Sequence, residues 1–537
     1  MRSVALLLLA FLATAAAQAC EEKEECDTGL VCLMSTCTDC TADAQCESRE
    51  RCDESRTVDG EMHCQYKAID DDFDYIDVLL FLVAFVGGAL AAGGGVGGGG
   101  VFIPTFVLLG GFSVRDAVPL SNMTILGVAI VNTPLLGRVR HPNANRPLIN
   151  YDAAFLIGPM MLLGTVIGVI ANTVSPSYLV TALLFIVLTI TSVRTLKKGR
   201  SLWAAERAAA AAEKDGDASS LDDGHNSAFE SISFMDDGGS DSSSSGSSAS
   251  EDDASSSSED ASSSSEDASS SEDASSPSSE DAAESSSASS SSISAEVAAF
   301  LAKDARTPWG KLGLLFLMVM FIAFISLARG GRTGKSELGI RACSAGYWLL
   351  FAAIFPVFIT VVAIVARSLY VEYTKRVACG FPFLEGDLQL TKKRTILLPI
   401  FSTVAGIAAS FLGIGGGMVL GPLMLELGMS PDVVSATSAL LILLSAVASV
   451  VQFVILGRII VDYGLVLLAI GATASFVGVK LIRFIVTKYR KRSVIVFLLS
   501  VVIMASNVLL LVSGILALVD QIDKDSSDLD FRGVCDA

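Results

Sequence analysis

No arginine or lysine is evident in the middle of any apolar run of this chain, and its 537 residues contain no ATP-binding motif. The first absence argues against a mid-membrane anion site built on a fixed cation. The second argues against a pump driven by ATP. No constellation for covalent chemistry is evident, so the sequence does not read as an enzyme and implies no cofactor. A zinc site would rest on Cys37-Thr38-Asp39-Cys40 and His63-Cys64, but a second Cys-x-x-Cys pair is missing. The formal net charge is -19, yet most of the excess acid lies in one low-complexity segment. It therefore describes no acidic binding surface, and nothing suggests a nucleic-acid partner.

What the chain does have is apolar length. It is 51% hydrophobic with a mean hydropathy of +0.57, although that average includes a long polar insert. Several runs reach the roughly 20 residues that a bilayer crossing requires, so the lipid bilayer is its first partner. Residues 1–19 read as a signal peptide: Arg2, an apolar run to Ala17, and small residues up to Ala19. The amino terminus is then extracytoplasmic, and the chain belongs to the secretory pathway, at the plasma membrane or an endomembrane. Cysteine usage agrees. Eight of eleven cysteines are Cys20, Cys26, Cys32, Cys37, Cys40, Cys46, Cys52 and Cys64. An even, dense set after a signal peptide implies disulfide bonds, with connectivity left open by the spacing. Residues 20–75 are expected to form a small cysteine-rich extracytoplasmic domain, too poor in large apolar side chains to hold together without crosslinks.

Apolar segments at 76–109, 117–137, 151–171 and 177–193 make a first transmembrane set, 76–195. Residues 196–307 form a cytoplasmic linker. It begins basic (Arg194, Lys197, Lys198, Arg200), continues through an alanine-rich helical piece from Trp203 to Glu213, and ends in Ser/Asp/Glu repeats expected to be disordered. Serines followed by acids resemble sites for an acidophilic kinase, and a plain solvated spacer accounts for them equally. Two additional spans, near 312–327 and 347–366, lie in 308–394. A second set occupies 395–519, with segments at 395–427, 433–456, 463–484 and 493–518. Residues 520–537 are a polar tail.

One run occurs in both sets. Gly95-Val96-Gly97-Gly98-Gly99 is followed by Pro104, and Gly413-Ile414-Gly415-Gly416-Gly417 by Pro422, at the same distance. Further landmarks keep the order. Gly111-Phe112-Ser113 matches Gly428-Met429-Ser430. Pro119-Leu120-Ser121-Asn122 matches Ala436-Thr437-Ser438-Ala439, and Ile149-Asn150-Tyr151 matches Val461-Asp462-Tyr463. A glycine run leaves helical geometry easily, and paired breaks in two apolar halves point to a transporter's binding site. If each glycine element dips into the membrane and returns, the basic residues Arg138, Arg140, Arg146, Lys392, Lys393, Arg394, Lys488, Arg490, Lys491 and Arg492 all fall inside. Only the loop from Arg329 to Arg341 is misplaced. The basic loop follows the second long helix of the first set but the third of the second, as two inverted repeats require.

At these residues the sequence resembles the sulfite exporter TauE/SafE family of membrane transporters. The resemblance spans both sets. It rests on the two Gly-x-Gly-Gly-Gly-x4-Pro elements and on Ala436-Thr437-Ser438; the first set departs with Pro119-Leu120-Ser121. It implies transport of a sulfur-containing anion such as sulfite, sulfate or an organosulfonate.

The residues themselves argue for an anion. Broken backbone in a bilayer must be buried in protein or line a wet cavity. A half-helix that starts after each run directs free N–H groups and a positive dipole end toward the midplane. The expected substrate site is therefore Gly95, Gly97, Gly98, Gly99, Gly413, Gly415, Gly416 and Gly417, with Ser121, Asn122, Thr437 and Ser438 adding donors. Glycines that only permit close helix packing are the plainer alternative. Glu426 is a candidate for proton coupling, and its place two residues before Gly428 equally fits an interfacial acid. Asn122-Met123-Thr124 spells a glycosylation sequon at a helix start, too close to the membrane for modification. The expected fold is an all-α polytopic membrane protein with two inverted repeats, each holding a glycine-broken re-entrant helix, plus the disulfide-rich ectodomain. The expected function is a secondary transporter of a small anion working by alternating access. The alternative is a receptor whose ectodomain binds a ligand and whose linker recruits partners.

Overall fold

The computed structural model describes residues 31–33, 36–38, 50–54, 62–66, 69, 74–94, 97–141, 144–214, 296–330, 344–383, 387–489, 504, 507–508 and 511. The signal peptide, the serine-rich part of the linker, most of the segment 493–518 and the polar tail lie outside them, as do Cys20, Cys26, Cys40, Cys46, Gly95 and Val96. Two antiparallel hairpins come first: β1 (Val31–Leu33) with β2 (Thr36–Thr38), and β3 (Glu50–Glu54) with β4 (Met62–Tyr66). Their registers set Cys32 opposite Cys37 and Cys52 opposite Cys64.

The longer elements among the described residues are all helices. The first set gives α1 (Tyr75–Gly94), α2 (Gly99–Leu108), α3 (Val114–Gly137), α4 (Tyr151–Val174) and α5 (Ser177–Lys214). The middle gives a short helix over 296–304, then α6 (Trp309–Arg329) and α7 (Ala345–Ala378). The second set gives α8 (Lys392–Phe411), α9 (Gly417–Glu426), α10 (Pro431–Ile455) and α11 (Val461–Tyr489). Among the described residues nine helices are long and apolar enough to cross a membrane. The protein is thus an all-α polytopic membrane protein. The ten-residue α2 and α9 are not long enough, since ten residues rise only about 15 Å against a hydrocarbon core of about 30 Å. Helix α5 runs on well past its span, through the basic and alanine-rich stretch, where good helix formers and no proline offer no reason to stop.

Helix starts follow their capping residues. Ser113 Oγ accepts from Asp116 N at 3.2 Å and donates to Asp116 Oδ2 at 2.7 Å, opening α3. Asn150 Oδ1 accepts from Ala153 N at 3.0 Å and opens α4. Helices α3, α4 and α10 are mostly buried, whereas α5 and α7 present most of their apolar surface outward, as lipid-facing helices do.

Two cores hold the bundle, and each draws on both sets. One joins α1, α2 and α3 with α11; the other joins α4, α6 and α7 with α8, α9 and α10. The seams between sets are made by small residues. A Cβ on Gly164 would stand 2.2 Å from Thr403 O, one on Gly406 2.1 Å from Met161 O, and one on Gly478 2.2 Å from Ala89 O. Backbones so close exclude any larger side chain, the usual device of helix packing in membranes. Residue numbers rise together along these seams, from Met161 with Gly406 to Asn172 with Phe411, and from Asp77 with Tyr463 to Ala89 with Gly478. Helix α4 is therefore parallel to α8, and α1 to α11.

Candidate functional site

The glycine runs break their helices by entering a region of φ that favours glycine. Gly97 and Gly98 have φ of 89° and 79°, and Gly413 and Gly415 have 62° and 71°. Helix α2 then restarts with Val101 N donating to Gly98 O at 2.9 Å, and α9 with Met418 N donating to Gly415 O at 3.3 Å. No side chain caps either start. The N–H groups at the head of each short helix thus have no carbonyl of their own helix to meet.

The two runs meet each other. A Cβ built on Gly97 lies 4.0 Å from Gly415 Cα, and one on Gly415 lies 3.9 Å from Gly97 Cα. Gly99 is tighter still, since its Cβ would stand 2.4 Å from Gly413 O and 2.5 Å from Ile414 Cα. The neighbours fix the depth of this junction. Gly416 faces Met161, near the middle of α4, and Gly97 faces Ile442, near the middle of α10. Both long helices therefore extend about equally to either side of the junction.

The four expected polar partners fare differently. Ser121 Oγ, fully buried, donates to Gly413 O at 2.7 Å and so ties the first set to the second run. Ser438 matches Ser121 in the repeat and is equally buried, but its Oγ has no hydrogen-bond partner among the described residues. Thr437 Oγ1 accepts from Asn150 N at 3.0 Å. Asn122 Nδ2 donates to Val118 O of its own helix at 3.0 Å, and with 3% of its surface exposed its sequon is out of reach of solvent. Glu426 is the last residue of α9; its side chain lies outside the described part, as does that of Pro422. Pro104 is buried within α2.

Two further contacts escaped the sequence. Ser410 and Ser449 hydrogen-bond at 2.7 Å between the ends of α8 and α10. Asn132 Nδ2 donates to Ala92 O at 3.4 Å between α3 and the end of α1. The second pair occupies the place in the first set that the serine pair holds in the second.

A charged cavity of about 130 Å³ lies on one side of the junction, lined by the α3–α4 connection, the start of α4 and the end of α7. Arg376 bridges Asp304 at 2.6 Å and Glu372 at 2.9 Å; Lys303 meets Glu372 at 2.7 Å. Arg146 pairs with Asp387, and Lys311 with Asp152. Burial, then the neighbouring Arg146, holds the His141 imidazole below its ordinary pKa, so it is neutral near pH 7. Asn150 lines this cavity, and its backbone N–H donates to Thr437 Oγ1 of α10. No group of metal-ligating side chains occurs among the described residues.

Comparison with known proteins gives one consistent answer. The family model described as Sulfite exporter TauE/SafE matches residues 64–207 and 285–505. A protein of Arabidopsis thaliana named Sulfite exporter TauE/SafE family protein 3 is 29% identical over 429 residues, covering 80% of this chain and 76% of its own. Family protein 1 of the same plant is 26% identical over 433 residues, covering 79% of this chain and 81% of its own. Family protein 5 is 28% identical over 423 residues, 78% of each. No solved structure matches.

Proposed function

The chain belongs to the sulfite exporter TauE/SafE family, and from that premise we propose that it is a secondary transporter moving a small sulfur-containing anion by alternating access. The observation that carries this reading is the junction of Gly97 with Gly415, halfway along α4 and α10. Two short helices begin there, and each brings free N–H groups and the positive end of its dipole. An anion held so needs no buried cation at mid-depth. Release is also easier, because no full countercharge has to be abandoned. Gly97, Gly98, Gly99, Gly413, Gly415, Gly416 and Gly417 form the walls, and Ser438 and Thr437 face the ligand. Ser121 positions the second run.

Inverted repeats fit the packing. The first helix of each set is parallel to the third long helix of the other, α1 to α11 and α8 to α4. Two halves of opposite sense, each carrying one half of the site, are the architecture that rocks between inward and outward openings. The eight cysteines 20–64 are proposed as disulfide-linked outside the cell or in a lumen, and Glu426 as the group that couples flux to protons.

The test is flux of labelled sulfite, sulfate and taurine into vesicles carrying the purified full chain. Wild type is expected to move at least one of them with saturation, and Gly98→Leu and Gly416→Leu to lose that flux. Equal flux in all three proteins would overturn the site. Non-saturating flux, insensitive to an imposed proton gradient, would replace the transporter by a channel.

A further inference from the structure

A second polar cavity lies at the other end of the long helices. It holds about 40 Å³ and is enclosed by the ends of α4, α6 and α10 and the start of α7. Arg329, the last residue of α6, and Arg458, just beyond α10, both line it, and each has only 7% of its surface exposed. The absence of buried cations expected from the sequence therefore fails at the span ends.

Arg329 is held in an unusual way. Its guanidinium lies over the Tyr347 ring at 4.1 Å and the Phe351 ring at 4.9 Å. No carboxylate pairs with it among the described residues, and its Nε has no hydrogen-bond partner there. Arginine cannot shed its charge to relieve this. Aromatic faces offset part of the cost of burial, but a buried charge without a counter-ion stays expensive. Thr173, Ser326 and Gln452 add polar side chains to the lining. The space suits two or three waters or one small oxyanion, given that a water needs roughly 10–15 Å³ on this measure.

We propose that this cavity binds a small free oxyanion at the Arg329 guanidinium, with the charge of Arg458 beside it, as a mouth site separate from the glycine junction. Planar forks match the oxygens of sulfate- or sulfite-like groups. The separation follows from α4: Met161 touches the junction and Thr173 the cavity, twelve residues and therefore about 18 Å apart. The mouth opens on the face that carries β4. Tyr66 of that strand sits on the turn before α3, and Arg115 at the start of α3 reaches Ser175 O at the end of α4, at 3.1 Å. Along α10, Ser449 falls between Ile442 at the junction and Gln452 at the cavity, so an anion route running out from the junction would end at this mouth. The role at the mouth of that route rests on the transport reading above; binding itself does not.

The test is equilibrium binding of radiolabelled sulfate to the full chain in nanodiscs of zwitterionic lipid. Wild type is expected to bind two anions per chain. Arg329→Gln and Arg458→Gln should each bind one, at the junction, while Gly416→Leu should bind one, at the mouth. Arg329→Lys keeps charge and bulk, and should retain the mouth site with affinity reduced about tenfold for want of the fork. If a glutamine variant does not fold, this lysine variant decides. Two undiminished sites in every arginine variant would overturn the inference. So would two sites in zwitterionic nanodiscs falling to one in anionic lipid, since a lipid headgroup would then own the cavity. Arginine-dependent binding without any wild-type flux would leave the mouth site standing and remove the transport reading.

Discussion

The two glycine runs share a spacing and a following proline but are not held alike. In the second run, Gly413 is gripped from outside: Ser121 of the first set donates to its carbonyl. The equivalent grip from the second set is missing, for Ser438 makes no hydrogen bond among the described residues. The runs differ in backbone as well. Gly98 has a φ of 79°, while its counterpart Gly416 sits at -60°, in ordinary helical space. In the proposed site, the first set thus fixes one wall, while Ser438 of the second leaves a buried hydroxyl unbonded among the described residues. Near-symmetry in sequence has been spent on two different tasks.

That comparison can be broken by substitution. The largest effect is expected at Gly99, where a Cβ would meet Gly413 O at 2.4 Å and neither backbone can give way. Gly99→Leu should bring vesicle flux to background, and measurable flux would mean that the runs are not in contact. Next, Ser121→Ala strands the buried Gly413 carbonyl and should cost about 1–3 kcal/mol, read as a lower midpoint of thermal unfolding. Ser438→Ala removes a hydroxyl with nothing to lose, so the midpoint should hold while the apparent KM for the anion rises. Equal behaviour of the two serine variants would erase the distinction between wall and ligand. Gly98→Ala should cost about 1–2 kcal/mol for its left-handed backbone. Gly416→Ala is the mildest change, because the obstacle at 1.9 Å is the mobile Met161 Cε and the backbone suits alanine. Equal unfolding midpoints for Gly98→Ala and Gly416→Ala would contradict the backbone difference.

Much of this was legible in the residues. Span number follows from apolar run length, and the breaks follow from glycine, because both are local properties. Close packing by glycine is found outside the runs, at Gly164, Gly406 and Gly478, whereas the runs break their helices. What stayed hidden depends on distance along the chain. Ser121 and Gly413 are 292 residues apart, and no pattern in either neighbourhood announces the bond. Thr437 read as a donor, and its Oγ1 also accepts from Asn150 N, 287 residues away, which no local pattern announces. Arg329 read as the edge of a misplaced basic loop, because nothing nearby in sequence shows that Tyr347 and Phe351 would cover it. The hairpins of the amino-terminal region escaped for a related reason, since their cysteine spacing signals crosslinks and says nothing of strand register.

Tyr66 deserves a mechanical reading. It ends β4, its ring lies 4.7 Å from that of Phe112, and its hydroxyl accepts from Ser113 N at 3.0 Å. Phe112 in turn stacks edge-on against Tyr463 at 5.2 Å. Those residues form the short turn that leaves the half-helix α2. The β3–β4 hairpin is therefore a handle fixed to the turn that follows α2, one ten-residue helix away from the first glycine run.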